Sequence, residues 1–381
     1  LIKIDMLDKV FSIAGRDIGS QHKPFVIGEI GNNHNGDLST AKKLIDELKF
    51  AGADCAKFQM RDMASLYSTA KDDLSDDVST QYTKDLLRKF QLNDSKMLEL
   101  FDYTRQIGLI PLCTPWDERS LEILYNIDMP ALKIASADLT NEPLINAAVK
   151  TNLPLICSTG MSDEVEIKGL ISKLDSFGAC YAILHCNSTY PTPFSHVNLK
   201  YINSLKTMTA SPIGYSGHER GINVSMAACA LGASIIERHI TLDQCQEGAD
   251  HKASLLPSEF QSLVIGVTEV WEALGHEGPR KITQAEMLNR HNLGKSIVAR
   301  VPILKGEIIR RNMLEVKSPG TGLPPTKINA LTGSKSAREM KPGDFFYSSD
   351  LTCLDNSRLD VIENHKVGIP VRFHDQAKLS K

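Results

Sequence analysis

Two lysines stand inside short apolar runs, Lys57 in CAKFQM (55–60) and Lys133 in ALKIASA (131–137). An ammonium carried into an apolar interior is costly unless an anion meets it, so each needs a bound phosphate, a carboxylate or an ion-pair partner. The hydroxyls of Thr114, Ser136, Ser158 and Ser216 fall late in similar runs. Each can donate one hydrogen bond to the same anion. The alternative is a structural pairing of either lysine with Glu29 or Asp138; the number of converging donors favours a ligand.

His218 and His239 close two neighbouring runs, PIGYSGH (212–218) and SIIERHI (234–240). Imidazoles so placed can share a divalent cation, with Glu29 or water in the remaining positions. Few protein ligands suit a weakly held Mn²⁺ or Mg²⁺ better than a closed zinc site. His185, in YAILHCN (181–187), is expected to support the site from behind. Glu29, beside the GNNHNG loop (31–36), is the candidate acid or base, unless it serves only to pair with Lys57. Asp250 and His251, in GADHKASLLP (248–257), follow the last run, where a substrate would bind; a polar loop with an Asx turn is the plainer reading.

These residues need elements that bring them to one place. From residue 25 onward, β-rich runs alternate with amphipathic helical patterns. Strands are expected at 25–31, 55–60, 109–115, 131–137, 154–160, 181–187, 212–218 and 234–240. Between them lie helices such as STAKKLIDELKFAG (39–52), with Ala41, Leu44, Ile45 and Leu48 on one face and Gly52 at its end. Eight βα units predict a (β/α)8 TIM barrel over 25–275, with its site at the C-terminal ends of the strands. A doubly wound open sheet ranks second, because no GxGxxG turn follows the first strand. Residues 1–24 form an N-terminal extension, and 61–95 read as an extended loop with one short helix. Residues 276–292 read as a linker, 293–354 as a small β-rich domain without a long helix, and 355–381 as a basic tail.

At 381 residues and 42.0 kDa the chain has room for two domains or one large barrel with an appendage. Lys and Arg number 43 against 46 Asp and Glu, a net charge of −3, which gives no reason to expect nucleic acid or an anionic membrane as partner. The most continuous apolar stretch, Val224 to Ile236, is far shorter than the ~20 residues of a membrane span. The first segment interleaves charges with apolar residues, unlike a secretory signal. The eight cysteines include no CxxC pair, which suggests a reducing cytoplasm. Leu1 and the basic tail suggest a piece of a longer chain, with a further domain or an added strand after 354.

The strings GEIGNNHNGD, GADCAKFQ, KIAS, STGM, HCNSTYPTP, GYSGHERGI, ALGASIIERHITLD and GADHKASL resemble the sialic acid synthase family, over about residues 22–354. The resemblance implies a barrel followed by an antifreeze-like (SAF) domain. It implies condensation of phosphoenolpyruvate with N-acetylmannosamine or a related amino sugar, giving a nine-carbon 2-keto acid and phosphate. Lys57, Thr114, Lys133, Ser136, Ser158 and Ser216 match phosphoenolpyruvate-binding positions, and His218 and His239 match Mn²⁺ ligands. Glu29 matches an acid/base carboxylate, with His239 and Asp138 as further catalytic candidates; Gln59, Tyr190 and Asp250 match sugar contacts. A homodimer is implied, with the small domain reaching the partner's barrel.

Three positions depart from the bacterial sialate pattern: Asp138 replaces Glu, Ser188 replaces Asn, and Ser318 replaces an arginine that meets the sugar across the dimer. Lys317 or Arg311 would have to substitute for it. The GYSGHE and ERHITLD strings resemble animal-type enzymes, some acting on a 6-phosphorylated sugar, and legionaminate- or pseudaminate-type synthases. Two rival classes are a Schiff-base pyruvate aldolase using Lys57 or Lys133, and a non-catalytic ice- or sugar-binding protein.

Overall fold

In the computed structural model, residues 9–66, 78–275 and 278–351 are described, with backbone alone over 78–83. The chain divides into two units, Leu1–His276 and Glu277–Lys381.

The first unit opens with an antiparallel hairpin, β1 (Phe11–Ile13) and β2 (Arg16–Ile18). Eight parallel strands follow: β3 (Phe25–Glu29), β4 (Cys55–Met60), β5 (Ile110–Pro115), β6 (Leu132–Ile134), β7 (Leu155–Ser158), β8 (Tyr181–Cys186), β9 (Ile213–Gly217) and β10 (Ile235–His239). They close in the order β10-β3-β4-β5-β6-β7-β8-β9. The closure is the expected TIM barrel and overturns the open-sheet alternative.

Because side chains alternate across a strand, every second residue faces the barrel axis. Near the strand starts these are Phe25, Ile27, Cys55, Leu112, Ala131, Ile156, Ala182, Leu184 and Ile235, which pack together with Ile13 and Ile18 of the hairpin. Each fully buried large side chain contributes ~1.5–3 kcal/mol. The other face packs on the helices. The helix Leu38–Ala51 is started by Asp37, whose carboxylate accepts from the Thr40 N–H, and is ended by Gly52 in the left-handed region at φ 82°. It buries Ala41, Leu44, Ile45, Leu48 and Ala51.

Three segments differ from the sequence expectation. The N-terminal extension contains the β1–β2 hairpin, whose three-residue strands are too short to show a period. The span 61–95 holds helices Met63–Leu66, Val78–Phe90 and the start of Asp94–Gln106 instead of one short helix in a loop. Within 276–292, a helix Gln284–Leu293 begins at a capping box of Thr283 and Glu286. The tail from 352 onward lies outside the described residues.

The second unit pairs β11 (Ser296–Ala299) with β12 (Leu314–Lys317) in antiparallel register. Isolated bridges such as Val298↔Phe345 and Ile303↔Met340 extend it. Ile297, Ile303, Ile309, Leu314, Leu323, Leu331, Met340 and Phe346 form its core. Among the described residues no helix is long and apolar enough to cross a membrane.

Candidate active site

The inward-facing positions change character along each strand. Past the apolar layer they become Glu29, Lys57, Gln59, Thr114, Lys133, Ser158, Cys186, Ser216 and Glu237, with His218 and His239 at the rim. Parallel register sets them at matching heights: Glu29 stands opposite Lys57, Gln59 opposite Thr114, Glu237 opposite Ser216, and His239 opposite Glu29. Together with Ser136, Ser188, Tyr190 and Trp116 they line a cavity of about 250 Å³.

Both lysines are buried and both meet carboxylates. Lys57 Nζ lies 2.7 Å from Glu29 Oε2 and 3.9 Å from Glu237 Oε2, and donates to Thr114 Oγ1 at 3.1 Å. Lys133 Nζ donates to Ser158 Oγ at 2.6 Å and lies 3.9 Å from Glu237 Oε1. Burial pushes both ammonium groups down. At Lys57 the carboxylates of Glu237 and Glu29 outweigh it and the value rises; at Lys133 burial prevails and the value falls. Glu237 is opposed by burial, yet Lys133 and Lys57 hold its carboxyl well below the usual range.

The structural alternative raised for Lys57, pairing with Glu29, is therefore present. Lys133 takes Glu237 instead of Asp138. The Asp138 carboxylate accepts from Asn141 Nδ2 at 2.9 Å and is not part of the cavity lining. Glu29 is further held by Gln59, whose Nε2 donates to Glu29 Oε1 at 2.8 Å, while Arg61 donates to Gln59 Oε1. Ser136 Oγ accepts from the Gly160 N–H at 3.1 Å; a Cβ on Gly160 would come within 2.8 Å of that oxygen.

The rings of His218 and His239 are 5.4 Å apart, with Tyr190 at 4.1 Å from the first and 6.0 Å from the second. His218 Nδ1 is 2.9 Å from the Asn187 carbonyl. A carbonyl only accepts, so Nδ1 carries the proton. His239 Nδ1 is buried without a hydrogen-bond partner, and burial lowers the pKa of this imidazole, favouring the neutral form. Among the described residues no three His, Cys, Asp or Glu form a ready cation cluster. Glu29 is turned to Lys57 and Gln59.

Behind this pair, Arg238 and Glu219 are both fully buried and joined at 2.8 Å. Tyr215 Oη donates to Glu219 Oε2 at 2.6 Å. Glu219 follows His218 and Arg238 precedes His239, so one ion pair ties together the two strand ends that carry the imidazoles. His185 meets this network through the Tyr215 ring. Its Nε2–H donates to the Val197 carbonyl at 2.6 Å, and its ring meets Tyr201 and Tyr215 on the helix-facing side.

A second cavity of about 440 Å³ adjoins the first and shares Gln59, Trp116, Tyr190 and His239 with it. Asp250 and His251 line it. The Asp250 side chain makes no capping hydrogen bond to the turn that follows, so the Asx-turn alternative fails there. Glu237 reads from the sequence only as a polar group at a strand end, and Cys186, Trp116 and Arg61 have no role there. The signal that would have found the first two is inward alternation, since each lies two residues from another inward position on its strand.

The NeuB family profile matches residues 44–278, and the SAF domain profile matches 294–352. The chain is 37% identical to the N-acetylneuraminate-9-phosphate synthase of Homo sapiens, over 84% of this chain and 90% of that one. It is 36% identical to the N,N'-diacetyllegionaminic acid synthase of Campylobacter jejuni, over 84% and 97%. The crystal structure of an N-acetylneuraminic acid synthetase from Leptospira borgpetersenii superposes with a TM-score of 0.68 at 31% identity, covering 74% of this chain and 96% of that one. The barrel, the domain that follows it and these relatives agree: the chain belongs to the NeuB family of sialic acid and related nonulosonic acid synthases.

Proposed function

We propose that the protein condenses phosphoenolpyruvate with an N-acylated amino sugar, yielding a nine-carbon 2-keto acid and inorganic phosphate. The observation that carries this reading is the pair of buried lysines in one cavity, ringed by the hydroxyls of Thr114, Ser158 and Ser216. Lys57 and Lys133 hold the phosphate and carboxylate of phosphoenolpyruvate, and the hydroxyls, with Ser136, donate to its oxygens. An anion arriving at Lys57 competes with Glu29 for the same ammonium. Glu29 is thereby freed to take up a proton, which is what an acid/base group must do. C3 of phosphoenolpyruvate forms the new bond to the sugar aldehyde, whose oxygen gains a proton. Water then adds at C2, and phosphate leaves by C–O cleavage.

The two imidazoles suit a weakly bound Mn²⁺ or Mg²⁺ completed by water, with the unpartnered Nδ1 of His239 as one donor. Such a cation supplies Lewis acidity toward the aldehyde oxygen when bound. Gln59, Tyr190 and Asp250 face the adjoining cavity and orient the sugar.

The experiment is incubation of the purified chain with phosphoenolpyruvate, Mn²⁺ and a panel of N-acylated hexosamines, reading phosphate release and product mass. Release with one sugar, abolished by EDTA, is expected. Release that ignores EDTA contradicts the cation, and no release contradicts the condensation. A second reading, a Schiff-base pyruvate lyase, draws on Lys133, whose ammonium burial weakens. Borohydride with pyruvate would then trap a covalent adduct at Lys133, and the condensation predicts none.

A further inference from the structure

Among the described residues the largest fully buried side chain carries a charge: Arg238 of β10. It stands between Glu237 and His239, which face the cavity, so it points away from the barrel axis. Its guanidinium is directed at one short connection, the one that follows β9 and begins with His218. Nη1 donates to Glu219 Oε1 at 2.8 Å, to the Gly221 carbonyl at 2.7 Å and to Ser225 Oγ at 3.1 Å, and Nη2 donates to the Glu219 carbonyl. Glu219 folds back to meet it, and its Oε2 accepts from Tyr215 Oη at 2.6 Å. Gly217 leaves room for this fold, because a Cβ there would come within 2.7 Å of Glu219 Oε2 and 2.6 Å of the Tyr215 ring.

A buried ion pair is weak evidence for stability, since desolvation offsets most of the attraction and apolar residues of similar volume often serve as well. What it does supply is a fixed spacing. At ~2.1 Å from imidazole nitrogen to a divalent cation, two donors on one ion cannot be more than about 4 Å apart. His218 and His239 sit on different strands with ring centres 5.4 Å apart, so a slip of one strand end against the other takes a donor out of reach. The Asn187 carbonyl holds His218 Nδ1–H at 2.9 Å and leaves Nε2 for the cation. Nothing in that bond fixes the distance to His239. Arg238 and Glu219, adjacent in sequence to the two histidines, span that gap from behind.

Resting on the cation proposed above, we infer that Arg238 and Glu219, seated by Gly217 and Tyr215, are positioning residues that set the spacing of the two imidazoles and so the affinity for the cation. They act through the histidines: none of the four lines either cavity.

The test titrates Mn²⁺ alone, following the free ion by electron paramagnetic resonance, and phosphoenolpyruvate alone by calorimetry. Glu219→Gln combined with Arg238→Met removes both charges and leaves no unpaired ion in the interior. Mn²⁺ affinity should fall by at least about 10-fold, with phosphoenolpyruvate affinity held within about 3-fold. Tyr215→Phe, which removes one hydrogen bond from the same carboxylate, should weaken Mn²⁺ by about 3-fold and carries the test should the double variant not fold. Leu184→Ala, a destabilised control in the apolar layer, should bind Mn²⁺ as the wild type does. Unchanged Mn²⁺ affinity in the folded variants overturns the inference and leaves the cation standing. A loss shared equally by Leu184→Ala or by phosphoenolpyruvate binding does the same. Absence of Mn²⁺ binding in the wild type, or binding that His239→Ala leaves intact, removes the inference and the cation together.

Discussion

The two halves of the barrel interior are built by the same strands and the same alternation, yet they do opposite things. Near the strand starts, Phe25, Ile27, Leu112, Ile156, Leu184 and Ile235 form a dry plug with Ile13 and Ile18. Two to four residues later along each strand, the same face carries Lys57, Lys133, Glu29, Glu237 and the hydroxyls between them. The lower half supplies burial free energy. The upper half spends part of it holding four charged groups away from water, a cost moderated by their mutual pairing. Stability and chemistry are thus separated along the barrel axis, and substitutions in the two halves should separate as well.

The largest effect is expected at the rim. His239→Ala should lower turnover at least about 1000-fold, since it removes one of two candidate cation donors, while the melting temperature moves by no more than about 3 °C. A large drop in melting temperature with kcat retained would place His239 in the scaffold instead. The reverse is expected below. Leu184→Ala, at a fully buried position, should cost ~2–5 kcal/mol in denaturant unfolding and leave kcat/KM of the folded fraction within about 3-fold. Equal losses from both variants would erase the distinction between the halves.

Acid should act on the upper half alone. Burial opposes ionisation of Glu237, but Lys133 and Lys57 together hold its folded pKa below the ordinary glutamate value of 4.5. A depressed carboxylate contributes stability that is fully present above 4.5 and is lost as pH falls through the folded value. The difference in melting temperature between wild type and Glu237→Gln should therefore shrink as pH drops from 4.5 toward that value. A difference independent of pH would mean that Glu237 is not the counter-ion of the lysines. The smallest effect is expected from Gly160→Ala, whose Cβ would press on the Ser136 and Ser188 hydroxyls. It should raise KM for phosphoenolpyruvate by about 10-fold, with kcat little changed. Unchanged KM would remove Ser136 from the anion site.

The barrel was legible because buried parallel strands are continuous apolar runs, and a Lys or His inside such a run has few bland explanations. Lys57 and Lys133 announced themselves in this way. Glu237 did not, because an acid between Ile236 and Arg238 reads as one more strand polar group until register sets it beside both lysines. Asp138 misled in the opposite sense: near Lys133 in sequence, it sits on the turn Ser136–Asp138 and bonds Asn141. His185 and Cys186 are neighbours that face opposite sides of one strand, a distinction that needs the phase of the alternation and not merely its presence. The helix Val78–Phe90 begins VSTQYTKD, and its polar first turns hide the apolar face of Leu86, Leu87 and Phe90. The capping box at Thr283 and Glu286 was readable, but the surrounding Gly, Pro and charges made the segment look like linker.

The most direct test of the account is calorimetric titration of phosphoenolpyruvate, without sugar, into the wild-type protein and into Lys133→Ala. Saturable binding is predicted for the wild type, weakened by at least about 30-fold in the variant because a buried charge-assisted contact to the anion is lost. Equal affinity in both proteins would contradict the claim that the upper half of the barrel is built around an anion.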